Sequence, residues 1–254
     1  MPDPNCLQCG GTGYVVLELK DGLTGATRCE CFGRRSLDDA IRRAGIPLNY
    51  WHDSLDNFEL PPPASNPIAY QAMAGVMVEV RSYARSFPAV DKPGLLLVGD
   101  TGTGKTHLAV AVLKIMLDNG HNGVFYDYQN LLDRIRASYD ETSGGSDKEI
   151  YREALETEIL LLDDLGSQRT TDWAQDIVTS LITYRCNHQL PLLATTNLPD
   201  ADMGTGGAAR IPGLGGSQAT LAEKIGGRAR SRLFEMCRII RMPKVGDYRV
   251  QPAR

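Results

Sequence analysis

The sequence predicts an α/β protein: a parallel sheet covered by helices on both faces, with a small cysteine-bearing module ahead of it. Three observations predict this. From residue 94 onward, short apolar runs alternate with helical stretches, the pattern of parallel strands joined by crossover helices. The stretch GDTGTGKT, residues 99–106, lies between the first such run and the first such helix. It fits the phosphate-loop pattern G-x-x-x-x-G-K-[ST] at every fixed position. Four of the six cysteines fall within the first 31 residues.

Residues 1–45 are rich in glycine and poor in large apolar side chains. So short a segment buries too little core to fold without a metal or a staple. Cys6 and Cys9 form C-x-x-C, and Cys29 and Cys31 form C-x-C. Four thiolates so placed suit a structural tetrahedral zinc; the alternative is free surface thiols. The glycines after Cys9 let the chain turn tightly around the sulfurs. A proline-rich connector, LPPPASNP (60–67), precedes a helix-like stretch, 68–87. Strands follow at 94–98, 123–127, 158–164, 191–197 and 237–242. Helices are expected at 105–120, 128–139, 172–188 and 221–236. Residues 143–147 read as a loop and 201–218 as a glycine-rich connection. In the last helix Leu221, Ile225, Ala229, Leu233 and Met236 make the core stripe, with Arg228 and Arg232 together on one edge of it.

Composition excludes some functions. No apolar run approaches the roughly 20 residues of a membrane span, and the N-terminus lacks the basic-then-apolar order of a secretion signal. A cytoplasmic address is expected. There, six cysteines are metal ligands or core thiols before they are disulfides; Cys186 and Cys237 read as core. The formal charge of -4 and a pI near 5.6 argue against a protein that coats DNA non-specifically. A local polarity remains: residues 224–254 hold nine basic side chains against two acidic ones, about +7.

The chemistry concentrates in three places. In the loop Gly99, Asp100, Thr101, Gly102, Thr103, Gly104, Lys105, Thr106, backbone N–H groups can close around phosphate oxygens, Lys105 can reach the β and γ phosphates, and Thr106 can ligate magnesium. The run ILLLDD ends in Asp163, placed to hold magnesium through water, and Asp164, placed to orient the attacking water. The run LLATTN ends in Asn197, at the strand end where α/β ligands sit. The blander alternatives are two solvated acids and a turn-forming Asn.

GTGKTHLA, LLLDDLG, ATTNL, SRL, GDYR and the earlier AGIPLNYWHDSLDNFE together resemble the AAA+ P-loop ATPases of the DnaC/IstB branch, the bacterial helicase loaders and transposition helpers. The resemblance covers about residues 45 to 250. It implies a five-stranded parallel core, ATP with magnesium, ATP-dependent assembly into an oligomer, and single-stranded DNA as a partner. It also implies either a replicative helicase of the DnaB type or a transposase as a second partner. It assigns residues 1–45 to a zinc module that docks the helicase, 46–93 to a linker and lead-in helix, and 94–254 to the ATPase domain. SRL resembles the arginine-finger helix, with Arg232 serving a neighbour's phosphate, Arg228 assisting, and Arg249 contacting its own subunit's nucleotide. One departure stands out: Asp164 occupies the position where these motors carry glutamate, which favours slow hydrolysis. The end of the second strand and the helix after it offer Phe125, Tyr126, Tyr128, Arg134, Arg136 and Tyr139 as candidate DNA contacts; the alternative is that Phe125 and Tyr126 are strand core and Arg134 and Arg136 a solvated helix face. A small-molecule kinase and a zinc-containing adaptor with structural nucleotide are the readings from other classes. The four histidines show no ligand spacing.

Overall fold

A computed structural model describes residues 6–18, 24–138, 146–200 and 219–245. Strands β1 (Tyr14–Glu18) and β2 (Thr24–Arg28) form an antiparallel pair. Helix α1 (Glu30–Arg43), a 3-10 turn at Leu48–Tyr50 and helix α2 (Pro67–Ser86) follow. Asn66 caps α2, accepting from the Ala69 N–H ahead of a proline at the first turn. The main sheet takes β3 (Gly94–Val98), β4 (Gly123–Asp127), β5 (Ile159–Asp163), β6 (Leu192–Thr196) and β7 (Cys237–Arg241), all parallel, in the order β4-β5-β6-β3-β7. Between them run α3 (Lys105–Asp118), α4 (Tyr128–Ala137), α5 (Ser146–Glu156), α6 (Asp172–Asn187), α7 (Leu221–Ile225) and α8 (Gly227–Met236).

The strands are apolar on both faces because both faces are covered. Leu95 and Leu97 of β3 turn toward α2 and α3, whereas Leu96 and Val98 turn toward the helices α4 to α8. β3, and the loop that leaves it, lies inside the sheet between β6 and the edge strand β7.

Four features differ from the sequence expectation. The helix expected over 221–236 breaks at Gly226, whose φ of 87° and ψ of 147° are open to glycine. The stripe Leu221, Ile225, Ala229, Leu233 and Met236 is nevertheless buried throughout. Helix α5 was not expected; Ile150 and Ala154, four apart, carry it into the core. The β1–β2 pair was not expected either. Helix α1 begins at the cysteines and ends in the main core, where Ile41 and Ala44 are buried and the Ala44 carbonyl accepts from the Phe125 N–H at 2.7 Å.

Arg185 on α6 explains why α5 ends where it does. Its guanidinium is fully buried and donates to five backbone carbonyls: Ala154, Leu155, Thr157, Glu158 and Pro191, at 2.6 to 3.2 Å. A helix terminus leaves carbonyls without partners, and here a cation from a neighbouring helix answers them in place of a glycine cap. Arg185→Met should therefore lower unfolding free energy by at least about 3 kcal/mol, read from the urea midpoint, because several buried carbonyls lose their donor at once.

Candidate functional site

The loop after β3 is shaped by its glycines. Gly102 and Gly104 take φ of 76° and 87°. A Cβ at Gly104 would also lie 2.5 Å from the Phe58 ring, so the position requires glycine twice over. Thr103 is buried and its hydroxyl donates to the Asp100 carbonyl at 2.8 Å. The Lys105 ammonium, also buried, donates to the same carbonyl at 2.8 Å and so lies over the loop it closes. Backbone N–H groups at the start of α3, with this ammonium, make a ready anion site.

Asp163 ends β5 beside the loop and is almost fully buried. The Thr106 hydroxyl lies 3.0 Å from its Oδ1 and 3.2 Å from its Oδ2, and the Thr195 hydroxyl donates to Oδ1 at 2.6 Å. Burial pushes the Asp163 carboxyl above its ordinary range; Thr195 and Thr106 pull it back, and the charges of Asp164 and Asp127 push it up again. A divalent cation would relieve this crowding of negative charge, and a hydroxyl beside a carboxylate is the hard-oxygen set that magnesium takes. Asp164 is exposed, with a φ of 54° in the left-handed region, which few residues other than glycine adopt and which Asp tolerates better than most.

Asp164 and Asn197 line one cavity of about 420 Å³ together with Thr101, Lys105 and Thr106. The remainder of its lining includes Tyr50, Asp53, Asn57, Phe58 and Glu59. None of these was a sequence candidate; the signal was the stretch AGIPLNYWHDSLDNFE, of which no single residue has motif spacing. The turn carrying them is fastened to α3. Lys114 donates to the Trp51 and Asp53 carbonyls at 2.5 and 2.7 Å. One ring nitrogen of His107 lies 2.9 Å from the Ser54 carbonyl, the other 3.3 Å from the Asp53 carboxylate. His107, which carried no sequence assignment, thus lines the cavity and holds its wall.

The three arginines of α8 separate. Arg228 and Arg232 are exposed, and Arg232 pairs with Glu235 at 2.7 Å. Arg230 turns inward instead, making a bidentate pair with the buried Asp200 at 2.6 and 2.7 Å while its guanidinium lies 4.3 Å over the Phe234 ring. Arg249, the glycine-rich 201–218 stretch and Tyr139 lie outside the described residues. Of the candidate DNA-stacking aromatics, Phe125, Tyr126 and Tyr128 are core residues, buried between strand and helix and closed to a base. Arg134 and Arg136 are exposed, over the rings of Tyr126 and Trp173.

The sulfurs of Cys6, Cys9, Cys29 and Cys31 all lie within 4.8 Å of one another. The Cys6–Cys29 and Cys9–Cys31 sulfurs are 3.7 and 3.4 Å apart. A zinc at about 2.3 Å from four thiolates sets their edges at about 3.8 Å, so the cluster fits that ion. Burial works to raise the Cys9 thiol, but the Gly13 N–H, the Cys31 and Cys6 sulfurs and the Gly11 backbone outweigh it and hold it at about 7. Cys186 and Cys237 are buried core thiols. No helix among the described residues is long and apolar enough to cross a membrane.

Comparison with known proteins gives the same picture. The sequence model of the IstB-like ATP binding proteins matches residues 79–205, half the chain, and takes in the loop, both aspartates and Asn197. An uncharacterized Escherichia coli K12 protein, YdaV, is 26% identical over 68% of this chain and 67% of its own length. YqaM of Bacillus subtilis, also uncharacterized, is 25% identical over 71% of this chain and 56% of its own. The replicative helicase loader DnaC of Buchnera aphidicola is 20% identical over 62% and 61%. The chain thus spans about two thirds or less of the length of these relatives. Among solved structures, a DnaC helicase loader superposes with a TM-score of 0.61 at 28% identity, covering 78% of this chain and all of that one. DnaI shares the fold, with a TM-score of 0.58 at 18% identity over 77% of this chain and 94% of its own. With the phosphate loop, the paired aspartates and the five-stranded sheet on one scaffold, the chain belongs to the family of IstB-like ATP binding proteins.

Proposed function

We propose that the protein is a slow ATPase that loads a replicative helicase onto single-stranded DNA. One observation supports it most: Thr101, Gly102, Gly104, Lys105 and Thr106 of the phosphate loop line a single cavity with Asp164 and Asn197, with Asp163 against the Thr106 hydroxyl, in a chain that resembles the whole of one solved DnaC helicase loader chain. In this reading Lys105 and the N–H groups of Gly102 to Thr106 bind the β and γ phosphates. Thr106 and Asp163 hold magnesium, which supplies charge neutralisation at the transferring phosphoryl group. Asp164 orients the attacking water, and Asn197 contacts the γ-phosphate. The short carboxylate of Asp164 reaches less far than glutamate would, so turnover is slow and ATP acts as an assembly switch. Arg232, with Arg228, serves the phosphate of a neighbouring subunit; Glu235 occupies it until then. Arg249 contacts the nucleotide of its own subunit. The four cysteines hold zinc and the surrounding module docks the helicase.

A transposition helper shares every ATPase residue, and the family match favours keeping it as the second reading. Pull-down of the host's replicative helicase by the full chain separates the two. A helper retains a transposase and leaves the helicase in the supernatant.

Lys105→Ala should bind ATP at least about tenfold more weakly while folding normally, as read by calorimetry beside a melting curve, because the ammonium is the main positive charge on the phosphates. Unchanged affinity would remove the ATPase assignment. Purified protein should carry one zinc per chain, and Cys9→Ser should lose it with ATP binding intact; elemental analysis decides this. Arg232→Ala should keep ATP affinity yet lose most turnover and ATP-driven assembly, and mixing it with Lys105→Ala should restore part of both. Wild-type turnover in Arg232→Ala would leave α8 a basic surface and nothing more.

A further inference from the structure

We propose that Thr195 is a positioning residue for ATP hydrolysis: its hydroxyl fixes both the carboxylate of Asp163 and the backbone of Asp164. The inference rests on the ATPase reading above and gives a role to a residue of the ATTNL stretch that carried none.

Strands β5 and β6 are parallel neighbours, with Leu162 opposite Ala194. One step further along, Asp163 ends β5 beside Thr195, which is still paired with Leu97 of β3. Thr195 is fully buried, where a hydroxyl persists only if its hydrogen-bonding capacity is used. It is used twice. The O–H donates to Asp163 Oδ1 at 2.6 Å, and a lone pair accepts the Asp164 N–H at 3.0 Å. A hydroxyl can do both at once because it offers one donor and two acceptor sites. A valine of the same shape could do neither.

The consequence for Asp164 is conformational. With φ at 54°, its backbone lies in the left-handed region that disfavours residues with a Cβ. The turn that imposes this is stitched to β6. The Thr195 hydroxyl holds the Asp164 N–H, the Thr195 carbonyl accepts from the Leu165 N–H at 2.8 Å, and the Thr196 hydroxyl donates to the Leu165 carbonyl at 2.9 Å. Only the first of these also touches Asp163. For Asp163, the bond to Oδ1 orients the carboxylate from the β6 side, with the Thr106 hydroxyl 3.0 Å from Oδ1 and 3.2 Å from Oδ2. One side chain therefore sets the direction of both acids. Thr195 also lies two residues before Asn197 on the same strand end, so a displacement of that end reaches all three groups.

The test uses the full-length protein with Thr195→Val and Thr195→Ser. Three quantities are read: kcat and KM for ATP, the magnesium concentration that half-maximally tightens binding of a fluorescent non-hydrolysable ATP analogue, and the melting temperature. Removing a group that orients a metal ligand typically costs about 10- to 100-fold in metal affinity or activity. Thr195→Val should lower kcat at least about tenfold with KM within about twofold, and raise the magnesium requirement several-fold. Thr195→Ser, which keeps the hydroxyl, should restore both. If valine prevents folding, Thr195→Ala replaces it and is compared with Thr195→Ser, a pair differing only in the hydroxyl. Wild-type kcat and magnesium dependence in the hydroxyl-free variant overturns the proposal. So does a loss that serine does not restore, since packing would then be its cause. A wild-type protein without turnover defeats the ATPase reading instead, and the magnesium dependence of analogue binding still decides the role of Thr195.

Discussion

A buried carboxylate at the end of a central strand is the constraint around which this molecule is built. Asp163 is removed from water by the sheet and its covering helices, and a charge so placed must be met by donors or by a cation. Two elements meet it with hydroxyls: α3 through Thr106 at its start, and β6 through Thr195. For Thr106 and Thr195 to flank one carboxylate, β3 and β5 must lie on either side of β6. Strand order and site chemistry are thus one requirement seen from two ends.

The same logic applies to the other buried charges. Arg185 is tied to five carbonyls and reaches from α6 to the end of α5 and the start of β6, so it ties α5 to the short connection between α6 and β6. Arg230 joins α8 to the chain just beyond β6 through Asp200. Both are cations held by groups from other elements. Losing either would expose unsatisfied partners as well as remove a contact. The outcome is a scaffold in which the ends of β5 and β6 and helix α8 are mutually located by polar ties laid over apolar packing.

The cysteine cluster connects to this scaffold through one helix. Cys31 lies in the first turn of α1, and Ile41 and Ala44 at its other end are buried beneath β4 and α3. The turn that follows, fastened by Lys114 and His107, lines the same cavity as the phosphate loop. A continuous run of chain therefore leads from the sulfurs to the wall of the nucleotide cavity.

Much of this was legible before any coordinates. Residues 99–106, the two cysteine pairs and the apolar runs ending in Asp163 and Asn197 are local patterns. Consecutive residues dictate their own backbone path, and a period of two or of three to four names the face that is buried. Hence the sheet, the loop and the core stripe on α7 and α8 were readable. The break at Gly226 was not, because a single glycine inside a helical pattern is compatible with either outcome. Nor could the sequence decide the aromatics of β4 and α4: Phe125, Tyr126 and Tyr128 look the same whether they face a strand of DNA or the core, and the structure buries them. Tertiary structure alone brought Thr195 to Asp163, 32 residues away, Phe58 against Gly104, and Asp200 to Arg230. These pairings depend on which strands become neighbours and on how a lead-in segment folds back. Both are decided by burying the whole apolar surface at once, which no local stretch of sequence encodes.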